Sequence, residues 1–230
     1  MTKKPKATEA RSPVKPEPEK ADAKRAILHI GCGPKSIKDL PAAFSAGWTE
    51  TRLDIDARVS PDIVADLTDM TAVADASHDA VWAGHVIEHL YHHDALTAAR
   101  EMRRVLKRGG FAVVNCPDVR AVARVIAERG LDAELYVSKA GPVTARDALF
   151  GWGAALRAGN TEMAHRNGFD LASMRDLLAR AGFAHVFGRR IRYDLWFLAS
   201  ASPCETAEAD ARLAEILDRK PTIQTEAAAS

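Results

Sequence analysis

The chain has 230 residues, 47% of them apolar, and a formal net charge of +1. That suits one domain of ordinary size with tails, or at most two small ones, and supplies no overall field to draw a nucleic acid or an acidic membrane. Three cysteines, Cys32, Cys116 and Cys204, lie far apart with no C-x-x-C pair, which fits free thiols in a reducing cytoplasm and argues against a disulfide scaffold.

Residues 1–24, MTKKPKATEARSPVKPEPEKADAK, have no apolar run and are expected to form a disordered tail, neither signal peptide nor anchor. The interleaved Glu9, Glu17, Glu19 and Asp22 weaken a reading of this tail as a basic nucleic-acid arm. No stretch approaches the length needed to cross a bilayer. AILHIGCG reads as a buried strand ending in a tight glycine turn. IKDLPAAFSAG follows, helical in pattern but interrupted by Pro41. TETRLDID is a second strand with acids at its end, PDIVADL a short third, and HDAVWAG the start of a fourth.

HHDALTAAREMRRVLKRGG predicts a helix whose apolar positions Leu96, Ala99, Met102, Val105 and Leu106 recur at three-to-four spacing, with Gly109-Gly110 as the stop and His92 and His93 in the loop before it. GFAVVNCPD is the fifth strand. Residues 118–168 are less regular, with a helix in RAVARVIAERG, and are expected to be a substrate-shaping insertion. Phe150 and Trp152 within it fit an apolar pocket or the packing of a small lid equally well. LASMRDLLARAGF is an amphipathic helix with Met174, Leu177, Leu178 and Ala181 on one stripe. AHVFGRRIR and DLWFLASA are two closing strands, close enough to pair antiparallel, and residues 203–230 are expected to be a helix ended by Pro221 and a loose tail. Short apolar strands alternating with helices imply an α/β fold over residues 25–202, with a parallel sheet buried on both faces.

Gly31-Cys32-Gly33 closes the first strand, where glycine lets backbone approach a ligand. Asp54, 21 positions after Gly33, closes the second. An acid there can accept hydrogen bonds from both hydroxyls of a ribose, so the pair predicts an adenosine-bearing cofactor bound at the carboxyl edge of the sheet. The dinucleotide pattern G-x-G-x-x-G fails at Ser36, and no P-loop is present, so NAD and a bare nucleoside triphosphate are disfavoured.

ILHIGCG, RLDID, IVADL, DAVWAGHVIEHL and VLKRGGFAVVNCPD, in that order and spacing, resemble the class I S-adenosylmethionine-dependent methyltransferases, in particular the small-molecule-type, methyltransferase type 11-like branch. The resemblance covers residues 26–118, and AGFAHVFGRRIRYDLWFLA is similar to the family's final hairpin. It implies a Rossmann-like doubly wound sheet of seven strands in the order 3-2-1-4-5-7-6 with the last strand antiparallel, S-adenosylmethionine as cofactor, and in-line methyl transfer to a small molecule. By the resemblance, Gly31 and Gly33 pass the methionine and ribose portions with Cys32 between them. Asp54, followed by Ile55, holds the ribose diol. Asp66 accepts from the adenine amino group, Leu67 packs by the ring, and His85 borders the methionine end. Two departures bear on cofactor affinity. His29 stands where the family has an acid, and Lys35 replaces the third glycine. They keep open a binding or accessory chain that retains the fold and has lost catalysis; an NAD-dependent oxidoreductase is a separate Rossmann-like alternative.

HVIEHLYHH also spells the inverted zinc-protease pattern H-x-x-E-H at His85–His89. That reading needs both histidines on one helix, whereas His85 directly follows a strand, so no working metal site is expected. His89 is the candidate catalytic residue, as a general base or acceptor contact; a helix-start histidine bonded to backbone or to Glu88 fits equally. Tyr91, and Met163, His165 and Arg166 of GNTEMAHRNGF, are the candidate substrate contacts. No nucleic-acid or membrane partner is implied, and nothing in the sequence speaks to oligomeric state.

Overall fold

The computed structural model describes residues 24–218. The expectations for residues 1–23 and for the tail after residue 218 fall outside that range. The main sheet has seven strands: β1 (Arg25–Ile30), β2 (Trp48–Asp54), β3 (Ile63–Val64), β4 (His78–Gly84), β5 (Leu106–Pro117), β8 (His185–Ile191) and β9 (Asp194–Ser200). Their order is β3-β2-β1-β4-β5-β9-β8. Strands β1 to β5 pair parallel, and β9 lies antiparallel to both β5 and β8. The expected order and antiparallel final strand are therefore present. Between β5 and β8 a two-stranded hairpin, β6 (Glu134–Ser138) and β7 (Gly141–Thr144), forms a separate sheet.

Both faces of the main sheet are covered, which is why its central strands are apolar along their length. On one face, α1 (His92–Val105) presents Ala95, Ala98, Ala99, Met102 and Val105, and α5 (Leu171–Arg180) presents Met174, Leu177 and Leu178. Asp170 starts α5 with a capping box, its carboxylate accepting from the Ser173 backbone at 2.8 Å. The other face is aromatic. Phe44, Trp48, Trp82 and Phe111 pack there, with Phe44 edge-on to Trp48 at 5.2 Å. The C-terminal helix α6 (Thr206–Ile216) closes this face with Ala209, Leu213 and Ile216. It ends before Pro221, so the proline does not terminate it.

Three expectations need correction. The stretch after β1 forms two single 3-10 turns, Ile37–Asp39 and Ala42–Phe44, separated by Pro41, and no longer helix. Helix α1 stops at Val105, ahead of the glycine pair. Gly109 and Gly110 instead lie in an extra loop of β5, where the pairing jumps from His78↔Leu106 to Ala80↔Phe111. Gly109 has φ +91°, and a Cβ on Gly110 would sit 3.0 Å from the Asp79 carbonyl. Finally, His92 and His93 are exposed residues in the first turn of α1, not in a loop before it.

Candidate active site

The carboxyl ends of β1, β2 and β4 open onto two adjoining cavities. The smaller, about 240 Å³, is lined by Gly31, Gly33, Asp54, Ile55, Asp66 and Leu67, with His85 and His89 at one side. The larger, about 540 Å³, shares Gly31, Gly33, His85, His89 and Met163 and runs under the hairpin and the following helices α3 (Ala145–Phe150) and α4 (Gly153–Arg157). Cys32 and Lys35 also line it.

The floor of the smaller cavity is a fixed backbone turn. Gly31 and Gly33 both have positive φ, +59° and +54°. A Cβ on Gly31 would fall 2.3 Å from Val86 Cγ2, whereas one on Gly33 would meet nothing within 4 Å. The Asp54 carboxylate reaches this turn, accepting from Gly33 N at 2.7 Å and from Asp56 N at 2.9 Å. A carboxylate offers about four acceptor sites, so roughly two remain for a diol. Arg52 clamps the turn from below, donating to the carbonyls of Gly33, Lys35 and Ser60 at 2.8–2.9 Å. Asp66, exposed at the rim, accepts from the Thr68 N–H and hydroxyl, and Leu67 is buried beside it.

His29 lines neither cavity. It is buried, and its Nδ1 lies 2.8 Å from Glu50 Oε1. The other oxygen of Glu50 accepts from Ile37 N at 2.7 Å. The acid that the resemblance places on the first strand thus stands next door on the second, and it secures the segment after the glycine turn. Burial, the largest influence, lowers the His29 pKa against the opposing pull of Glu50.

His85 and His89 do not share a helix. His85 leaves β4 at φ +53°, and His89 ends a 3-10 turn at Ile87–His89. This removes the inverted zinc-protease reading. His85 is wedged between Glu88 Oε1 at 3.2 Å and Asn115 Nδ2 at 3.1 Å. His89 Nδ1 donates to the Ala164 carbonyl at 3.1 Å, and His165 Nδ1 to the Ala148 carbonyl at 3.0 Å. The two rings meet edge to face with centroids 4.9 Å apart. Glu88 is buried beneath them. Burial opposes its charge, but the His85 hydrogen bond and the imidazoles of His85, His89 and His165 outweigh it and hold the carboxyl below its usual range. Burial lowers the His165 pKa, so its imidazole is neutral near pH 7.

Segment 162–169 is stitched to this turn. The backbone N–H groups of Arg166 and Asn167 both donate to the Glu88 carbonyl, at 2.9 and 3.1 Å. Arg166 also donates to the His89 carbonyl, pairs with Glu162 and lies over the Tyr91 ring. Of the expected acceptor contacts, Met163 and His165 line the larger cavity and Arg166 the smaller, while Tyr91 lies outside both and is exposed. Trp152 lines the larger cavity, as do Tyr136 and Tyr193. Asp194 joins them, its carboxyl pushed up chiefly by burial. Sequence reasoning did not place Tyr136, Tyr193 or Asp194 at the site: Tyr136 lies on β6, Tyr193 in the turn between β8 and β9, and Asp194 opens β9, and none carries a local signal for a cavity. Cys116 is fully buried and burial pushes its thiol well up, which leaves it unfit as a nucleophile.

Residues 28–114 match a family model described as a methyltransferase domain. Among solved structures, the chain is similar to a S-adenosylmethionine-dependent methyltransferase from Methanosarcina mazei (16% identity, 80% of this chain and 94% of the other, TM-score 0.53). It is also similar to one from Archaeoglobus fulgidus (13% identity, 78% and 87%, TM-score 0.51). At these identities the likeness is one of fold. No match was found among curated proteins. The sheet order and the matched segment together carry the resemblance to the class I S-adenosylmethionine-dependent methyltransferases, of the type 11-like kind. S-adenosylmethionine is the cofactor of that class. Among the described residues, no helix is long and apolar enough to cross a membrane.

Proposed function

We propose that the chain transfers a methyl group from S-adenosylmethionine to a small-molecule acceptor held in the larger cavity. The observation that carries the reading is the junction of the two cavities at Gly31, Gly33, His85 and His89. One cavity has a ribose-binding acid and a glycine floor with room above Gly33. The other, at about 540 Å³, is of the size that takes a small organic ligand.

When bound, the cofactor supplies a methyl group on sulfonium sulfur, open to in-line displacement. Asp54 would hold the ribose diol with its remaining acceptor sites, Asp66 and Leu67 would border the adenine, and the Gly31–Gly33 backbone would pass beneath the sugar and methionine. Lys35, at the wall of the larger cavity, would face the cofactor's carboxylate. His85 would border the methionine end, its ring fixed by Glu88 and Asn115. His89, Met163 and His165 would contact the acceptor. The chain's contribution is chiefly positioning and exclusion of water, which can lower a barrier by as much as roughly 7–11 kcal/mol.

Calorimetric titration with S-adenosylhomocysteine tests the reading. Binding in the micromolar range that Asp54→Ala weakens at least about tenfold is expected, since the variant loses charge-assisted hydrogen bonds worth about 1.5–3 kcal/mol. A folded chain that does not bind it sinks the reading.

A further inference from the structure

Resting on the acceptor cavity just described, we propose that Glu88, His89 and His165 form a divalent transition-metal site whose open positions take an oxygen of the acceptor. One ligand atom from each of the three lies within 4.8 Å of the others. Each imidazole donates from Nδ1 to a backbone carbonyl, of Ala164 for His89 and of Ala148 for His165. That bond sets the tautomer and leaves the lone pair on Nε2, the arrangement that metal-binding histidines adopt. Ala148 lies in α3 and Ala164 directly precedes His165, so the His89 bond also ties its turn to the segment that carries His165.

The carboxylate supplies a second, separate observation. Glu88 is 1% exposed. Its Oε1 is engaged with His85, while Oε2 is fully shielded and has no hydrogen-bond partner among the described residues. A buried carboxylate oxygen without a donor is costly. A cation held beside it by the two imidazoles would satisfy it. Bonds of ~2.1 Å bring such ligand atoms to roughly 3–3.5 Å of one another, so a 4.8 Å separation closes by about 1.3–1.8 Å, shared between the side chains.

Two imidazoles and one carboxylate suit zinc, iron(II), cobalt or nickel better than magnesium or calcium. Three protein ligands leave coordination positions open. His89 and His165 line the larger cavity, and His89 the smaller as well, so those positions face the acceptor beside the junction of the two. An ion there would bind an acceptor hydroxyl or carboxylate and favour its deprotonated, nucleophilic form. The acceptor class is thereby an oxygen-bearing small molecule.

Cobalt(II) titration of the full chain, followed by its visible absorption, tests the site. One cobalt per chain is expected, with binding weakened at least about tenfold in Glu88→Gln and His165→Ala and unchanged in a His92→Ala, His93→Ala double variant. Circular dichroism of each variant checks that it is folded. Acetohydroxamate, a small oxygen chelator, is expected to shift the cobalt bands. Absence of binding in the folded chain, or binding that survives Glu88→Gln and His165→Ala, overturns the site. Bands that acetohydroxamate leaves unmoved overturn its acceptor role. The S-adenosylhomocysteine titration is read separately on the same samples. Homocysteine-ligand binding without cobalt binding overturns the metal site alone, and cobalt binding without it overturns the link to methyl transfer.

Discussion

Glu50 and His29 form a buried pair across neighbouring strands, with 2.8 Å between Oε1 and Nδ1. The same carboxylate holds Ile37 N through Oε2, so one side chain ties the end of β1 to the segment that follows the glycine turn. Glu50→Gln leaves a single acceptor for both. A stability loss of about 1–3 kcal/mol is expected, the cost of orphaning one buried donor. Affinity for S-adenosylhomocysteine should fall with it, although Glu50 lines neither cavity. Urea melts and calorimetry on the one variant check both parts.

Gly31 is constrained twice, by φ +59° and by Val86 Cγ2 at 2.3 Å from where a Cβ would stand. Gly31→Ala is expected to cost ~1–2 kcal/mol for the left-handed backbone and ~1–3 kcal/mol for overpacking. Trimming Val86 relieves only the second. The Gly31→Ala, Val86→Ala pair should therefore be less destabilised than the sum of the single variants, a coupling that a double-mutant cycle reads directly.

His78 opens β4 almost completely buried, its Nδ1 2.8 Å from Ser77 Oγ. Burial first, and Lys107 second, hold its pKa below the ordinary value. The neutral ring is thus favoured in the folded chain. Its contribution is fully present above the unfolded value of about 6.5 and is lost as the pH falls through the lowered folded-state value. His29 and His165 are shifted the same way, whereas the His85 pKa is raised, burial being outweighed by Glu88, and acts in the opposite direction. His78→Asn is expected to reduce the difference in stability between about pH 7.5 and about pH 5.5, measured by urea melts at each pH.

The cysteines should differ sharply in reactivity. Cys32 and Cys116 are buried with thiols pushed up by burial, while Cys204 is half-buried on the chain leading into α6. Brief iodoacetamide treatment of the native chain should alkylate Cys204 ahead of the other two, and all three should react in denaturant. Mass spectrometry of the peptides identifies the order.

The sheet was legible because its signals are local. Each central strand is a short apolar run, and the residues that line the smaller cavity, Gly31, Gly33 and Asp54, stand at strand ends where periodicity breaks. Strand order came with the resemblance and not from periodicity, since no local pattern encodes which strands are neighbours. Contacts made across the chain were not legible. His29 looked like a missing acid until Glu50, on β2, was seen to supply one. His165 was read as a substrate contact, but nothing local told that the Ala148 and Ala164 carbonyls would hold it and His89 ring to ring. Gly109 and Gly110 fit a helix stop by composition, and only the register of β4 against β5 reveals them as a loop within a strand.

The excursion between β5 and α5 leaves and returns at one point. Asp118 bridges Phe169, Val119 N donates to the Phe169 carbonyl at 3.0 Å, and Arg190 pairs with Asp118. The hairpin and helices that roof the larger cavity lie within this excursion, a pouch held at its neck by the clasp and again by the Glu88 and His89 turn. Loop closure depends only weakly on length, so the pouch can be enlarged or recut while the sheet and the glycine turn stay in register. The cavity beside the glycine turn and the cavity under the pouch are therefore built by separate parts of the chain, so the second can be reshaped without disturbing the first.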